Sequence, residues 1–130
     1  MSTFNAIGVA GSGVAVYRKW LDAVSDNIAN MDNVSKTSEN AFQARYVVAQ
    51  EAQDGNGAQV GGIAYGSAEG KLSYEPDNPL ADSEGYVRRP DIDLGSQMAQ
   101  MMMAQRAYQA NLSVVDRARD SYTAAINLGK

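Results

Sequence analysis

The side chains best placed to do chemistry in this 130-residue chain are carboxylates and amides, because it has no cysteine and no histidine. Four acids, Glu75, Asp77, Asp82 and Glu84, crowd the loop EPDNPLADSEG at 75–85. Such a group could hold a hard cation or act as an acid–base pair if a dry cleft enclosed it. The surrounding turn residues offer no such enclosure, so the acids read as a solvated loop face that Arg88 and Arg89 can pair with. DGNG at 54–57 begins like a calcium loop, but Ala58 and Gln59 stand where the pattern needs a ligand and a glycine. GVAGSG at 8–13 matches neither dinucleotide nor phosphate-loop spacing, and no β-rich run precedes it. It reads as a small-residue helix surface. Without Cys or His there is no disulfide, no thiol nucleophile and no ordinary neutral-pH base. The expectation is a chain with no catalytic residues, no cofactor and no metal.

The remaining anomaly is QMAQMMMAQ at 97–105, which holds Met98, Met101, Met102 and Met103 out of six methionines in the chain. A metal-binding methionine box lacks support from nearby Cys or His. Packing explains the cluster better. At about 100° per residue on a helix, the four side chains cover most of the circumference. A helix apolar nearly all round is buried on several sides, and methionine adapts to irregular neighbours. The segment is therefore expected to pack against several helices, mostly from other chains.

Two long helices must position these residues. Ile7, Ala10, Val14, Tyr17, Leu21, Val24, Ile28 and Met31 alternate in steps of three and four, an a/d seam over more than three heptads. Gly8, Gly11 and Gly13 weaken its first turns by about 1 kcal/mol each relative to Ala. This predicts a firm helix from about 14 to 31 with a frayed start. Leu94, Met98, Met101, Gln105, Tyr108, Leu112, Val115, Arg119, Tyr122 and Ile126 repeat the pattern, with Asp91 or Asp93 able to cap the start and Gly129 to end it. Between them, residues 45–53, 60–66, 70–76 and 85–90 read as strands, 54–62 as a glycine-rich loop and 75–85 as a proline-containing loop. The fold class is mainly α with a small β module: long N- and C-terminal helices paired antiparallel, coiled-coil-like, with a β-rich middle insertion. The divisions are 1–33, 34–91 and 92–130.

Net charge is −4, which disfavours nucleic acid and anionic membranes as partners. Residues 41–93 carry nine acids against four bases, whereas 94–130 carry four bases against two acids. No apolar run approaches the roughly 20 residues of a membrane span, and the N-terminus lacks the basic region of a cleavable signal peptide. Two helices cannot bury all this apolar surface alone. A large residual patch marks an association site, and patches on several faces favour a head-to-tail ring or tube of copies. The glycine-containing start suits a chain that orders on assembly.

Three stretches, LDAVSDNIANMDN (21–33), YEPDNPLADSEGYVRRPDIDL (74–94) and QRAYQANLSVV (105–115), resemble the flagellar basal-body rod protein family, nearest its proximal-rod members. The resemblance covers nearly the whole chain. It implies a structural subunit stacked helically around a narrow export channel, with both terminal helices in the tube wall. It implies as partners copies of itself, other flagellar rod proteins and the type III export apparatus, which reads an uncleaved N-terminal segment. It also implies an extracytoplasmic location in the basal body. The family's Asn-x-Ala-Asn motif falls on Asn27, Ala29 and Asn30, and its Tyr-Gln-Ala-Asn motif on Tyr108, Gln109, Ala110 and Asn111.

Asparagine near a helix end can satisfy its carbonyls. The amides of Asn27, Asn30, Gln109 and Asn111 could also bond across the helix pair, where one buried polar residue fixes register. The alternatives are a different axial rod subunit, or a coiled-coil chaperone or adaptor that forms a small, stable dimer.

Overall fold

The computed structural model describes residues 3–129. Helix α1 spans Thr3–Asn30; strands β1 (Arg45–Glu51), β2 (Ala58–Tyr65), β3 (Lys71–Tyr74) and β4 (Tyr86–Arg89) follow; helix α2 spans Leu94–Leu128. The architecture is two long terminal helices with small antiparallel hairpins between them. At about 1.5 Å per residue, α1 is about 42 Å long and α2 about 52 Å.

Helix α1 begins well before the expected firm start near residue 14. Tertiary contacts carry the glycine-containing turns: Ala10 is buried, and the Phe4 ring meets Tyr122 of α2 edge to face at 4.7 Å. At the other end, Asn30 donates to the Asp26 carbonyl at 2.8 Å, satisfying one of the acceptors orphaned where the helix stops. Of the two candidate caps for α2, Asp93 is the one used. Its carboxylate accepts from the Ser96 backbone N–H at 2.7 Å, and Gly129 closes the far end through the Ile126 carbonyl.

The middle segment forms two separate two-stranded sheets, β1–β2 and β3–β4. In the first, Arg45 pairs with Tyr65 and Glu51 with Ala58, and a bulge between Val48 and Ala49 leaves Gly61 unpaired. The glycine-rich loop is shorter than expected, because β2 already starts at Ala58. The positive φ angles of Gly55 and Gly57 close that turn. This hairpin lies along α1, where the Ser12 hydroxyl accepts from the Ala58 backbone N–H at 3.0 Å. The second hairpin leans instead on segment 31–44. Ser35 and Arg88 exchange backbone hydrogen bonds of 2.9 Å, and the Arg88 guanidinium donates to the Thr37 and Glu69 carbonyls. The core is small: Val24, Val87, Pro90 and Ala104 are its most enclosed apolar residues.

Candidate assembly interface

The two helices meet in opposite chain directions. Phe4 touches Tyr122, Gly13 faces Asn111, the Trp20 indole N–H donates to Gln100 at 3.4 Å, and Asn27 donates to Gln97 at 3.0 Å. On α1 the expected seam is on the packed side: Ala10 and Val24 are buried, and Ile7, Val14, Tyr17, Leu21, Ile28 and Met31 are half-buried.

On α2 the inward side runs through Gln97, Met101, Ala104, Tyr108, Asn111, Val115 and Ala118, all buried or half-buried. This line shares Met101, Tyr108 and Val115 with the seam expected from apolar spacing. Its alternate positions are shifted by one residue. Gln97, Ala104, Asn111 and Ala118 take the inside, while Met98, Gln105, Leu112 and Arg119 are turned outward. Leu94, Tyr122 and Ile126 are also exposed, although the Tyr122 ring still contacts Phe4. Close approach is the physical reason. A Cβ added at Gly13 would come within 2.9 Å of the Asn111 side-chain oxygen, and Ala104 is completely enclosed. Helices this near favour small side chains at their closest points.

Met102 and Met103 lie on the far side of α2, each 54% exposed. The chain therefore leaves Leu94, Met98, Met102, Met103, Leu112 and Val114 in solvent along one helix.

The amides have distinct tasks. Asn27 is fully buried and makes three hydrogen bonds: to the Arg45 carbonyl at 2.9 Å, from the Arg45 N–H at 2.8 Å, and to Gln97 Oε1 at 3.0 Å. One side chain thus ties α1, the start of β1 and the first turn of α2 together. Its buried partner Gln97 has no water to turn to, so the arrangement is exacting. Asn30 acts on its own helix end, as described, and also accepts from Asn33 at 2.9 Å. Asn111 donates to the Ala107 carbonyl one turn back at 2.9 Å and presses on Gly13. Gln109 is exposed, and its side chain makes no hydrogen bond among the described residues.

Apolar spacing missed Gln97 and Ala104. The signal that could have found them is their heptad phase with Asn111 and Ala118: four small or polar residues recurring every seven positions.

The acids of the 75–85 loop serve as braces. Glu75 pairs with Arg89 at 2.6 Å and accepts from Asn78 at 3.0 Å. The Arg89 bond, with help from Asn78, holds the Glu75 carboxyl down at about 2 against an ordinary 4.5. Asp82 accepts from the Tyr86 and Glu84 backbone N–H groups and from the Thr37 hydroxyl, which also lowers its pKa. Among the described residues, no group of three or more His, Cys, Asp or Glu is arranged to hold a metal, and no helix is long and apolar enough to cross a membrane.

Comparison with known proteins matches residues 83–128 to the C-terminal domain model of the flagellar basal-body rod FlgEFG proteins. Over the whole length of both chains, the sequence is 35% identical to the flagellar basal-body rod protein FlgC of Salmonella typhimurium. It is 34% identical to that of Escherichia coli O157:H7 and 27% identical to that of Bacillus subtilis, again over the full length of each. The matched C-terminal domain contains all of β4 and α2, the helix that carries the outward methionines. The chain belongs to the flagellar basal-body rod protein FlgC family.

Proposed function

We propose that this chain is a structural subunit of the proximal rod of the flagellar basal body. It polymerises helically, with copies of itself and with other rod proteins, into a tube around the export channel. Residues 1–33 and 92–130 form the tube wall, where their seams pack as coiled coils against neighbouring subunits, and residues 34–91 brace it from outside. The subunit reaches the periplasmic rod through the type III export apparatus, carries no enzymatic activity and needs no cofactor. Family membership supports the rod assignment. The observation that carries the assembly reading is the outward apolar set on α2, with Met98, Met102 and Met103 all more than half exposed among the described residues. Patches on more than one face of a helix suit head-to-tail stacking better than a closed pair.

The test is assembly in cells. Leu112→Asp and Leu21→Asp are expected to abolish rod assembly while the chain is still secreted into the medium. Leu112 is the cleaner site, because it is 40% exposed in the single chain and a charge there should spare the fold. Normal motility of the Leu112→Asp strain, with its rods intact, would sink the reading.

A further inference from the structure

A cleft of about 430 Å³ opens between α1 and the inner face of β1–β2, floored by Val9, Val16, Tyr17 and Trp20 and walled by Val47 and Ala49. Gly13, Gly57 and Ala58, too small to fill the space, and Asn111 of α2 complete the lining. Two acids lie at the turn end of the hairpin, close in sequence or register to the lining residues Gly57 and Ala58. Strand alternation places Glu51 on the same face as Val47 and Ala49, opposite Ala58. Asp54 sits on the adjoining turn and accepts only from the turn's own Asn56. Neither acid has a cationic partner among the described residues; the four ion pairs there involve other acids.

The complement to this site is on the same chain but faces the other way. At about 100° per residue, Met102, Met103, Arg106, Ala110, Ser113 and Arg117 share one stripe of α2, opposite its seam. All six are exposed, and Arg106 and Arg117 have no carboxylate partner among the described residues. The stripe offers two flexible apolar side chains followed by two unpaired cations; the cleft offers an apolar cavity beside two unpaired acids. A chain cannot place its own outward stripe in its own cleft, so the match requires two molecules.

We propose that the cleft between α1 and β1–β2 receives Met102 and Met103 from α2 of a second copy, with Arg106 and Arg117 of that copy meeting Glu51 and Asp54. The joint is heterologous, since cleft and stripe are different surfaces, and it therefore propagates from copy to copy. Methionine suits the role because it fills an irregular cavity without demanding one rotamer. The charges set direction and register. The inference rests on the rod-subunit reading and adds which surfaces join.

The chain has no cysteine of its own, so introduced thiols report contacts without ambiguity. Two full-length versions, Ala49→Cys and Met103→Cys, are produced together in flagellated cells, and basal bodies are purified and oxidised. The expected product is a disulfide dimer of the two versions, at least tenfold more abundant than the dimer from either version alone. Glu51→Arg with Asp54→Arg in the Ala49→Cys version should lower its yield about tenfold, and Arg106→Glu with Arg117→Glu in its partner should restore it. Dimers from Ala49→Cys alone in equal amount would overturn the proposal. So would a disulfide from Ala49→Cys to a different basal-body protein, or no disulfide although the chain is present in the particles. Presence of the chain in purified basal bodies is scored separately on the wild type, so failure of this joint is distinct from failure of the rod reading.

Discussion

Helices α1 and α2 carry similar heptad patterns, yet they are packed differently. Helix α1 is covered on one side by α2 and on another by the β1–β2 hairpin. Helix α2 packs against α1 alone among the regular elements. On α1, therefore, most large apolar residues have found a neighbour within the chain. On α2 the same residue types are divided. Small and amide side chains alternate with Met101, Tyr108 and Val115 along the contact with α1, and the other methionines and the leucines are left facing out. The difference teaches that an apolar seam can serve two separate ends. In α1 it builds the subunit, and in α2 much of it stays exposed.

The strongest test of this contrast is Asn27, the buried amide on the α1 side. Asn27→Ala strands the buried Gln97 amide, removes both bonds to the Arg45 backbone and should cost about 3 kcal/mol. Asn111→Ala on α2 removes only a bond to its own helix and should cost under about 1 kcal/mol. Thermal unfolding followed by circular dichroism would measure both, and equal losses would erase the distinction.

A smaller effect is expected within α2 itself. Ala104→Leu forces a branched side chain into a fully enclosed position and should destabilise the chain by about 2 kcal/mol. Met103→Ser, one residue along, should leave unfolding of the isolated chain within about 0.5 kcal/mol of wild type while impairing rod assembly. If Met103→Ser unfolds the chain as readily as Ala104→Leu does, the outward position of the methionine is wrong.

The glycines of α1 sharpen the comparison further. A Cβ at Gly8 or Gly11 meets nothing within 4 Å, so Gly8→Ala and Gly11→Ala should each stabilise the helix by about 1 kcal/mol. Gly13→Ala gains the same propensity but pushes into Asn111, and the gain should vanish or reverse. Denaturant midpoints of the three variants decide the matter. A full gain at Gly13 would mean that the helices do not approach closely there.

The gentlest probe is acid. The β3–β4 hairpin packs on neither helix, so its brace should fail without them. Glu75 is held at about 2, below its ordinary 4.5. A depressed carboxylate contributes stability that is complete above the unfolded value and lost as pH falls through the folded one. Protection of the amides in residues 71–89, taken relative to their intrinsic exchange rates, should therefore fall between pH about 4.5 and 2, while that of α1 is little changed. Glu75→Gln should remove most of that pH dependence; an unaltered profile would show that the Arg89 pair is not the brace.

The residues themselves announced most of the elements. Period-three-and-four spacing announced both helices, and Asp93, Gly129 and the glycine turn at 54–57 announced ends and reversals. The β-branched and alternating runs announced four strands. What was not legible was the phase of α2. Apolar spacing selects the largest hydrophobic residues, whereas the inside of this pair is set by Gly13 and Ala104, which let the axes approach. Nor was it legible that Asn27 would reach the backbone of Arg45, since that bond joins residues brought together only by the course of segment 31–44.

The sequence by itself determined that this chain has two long amphipathic helices, a turn-rich acidic middle and no side chains for thiol or imidazole chemistry. These follow from local propensity and composition, which act within a few residues. Only the tertiary structure decided which side of α2 faces inward, which amide is buried and which methionines stay in solvent. Those depend on how closely two helices can pack, a property of both surfaces at once that neither helix carries alone.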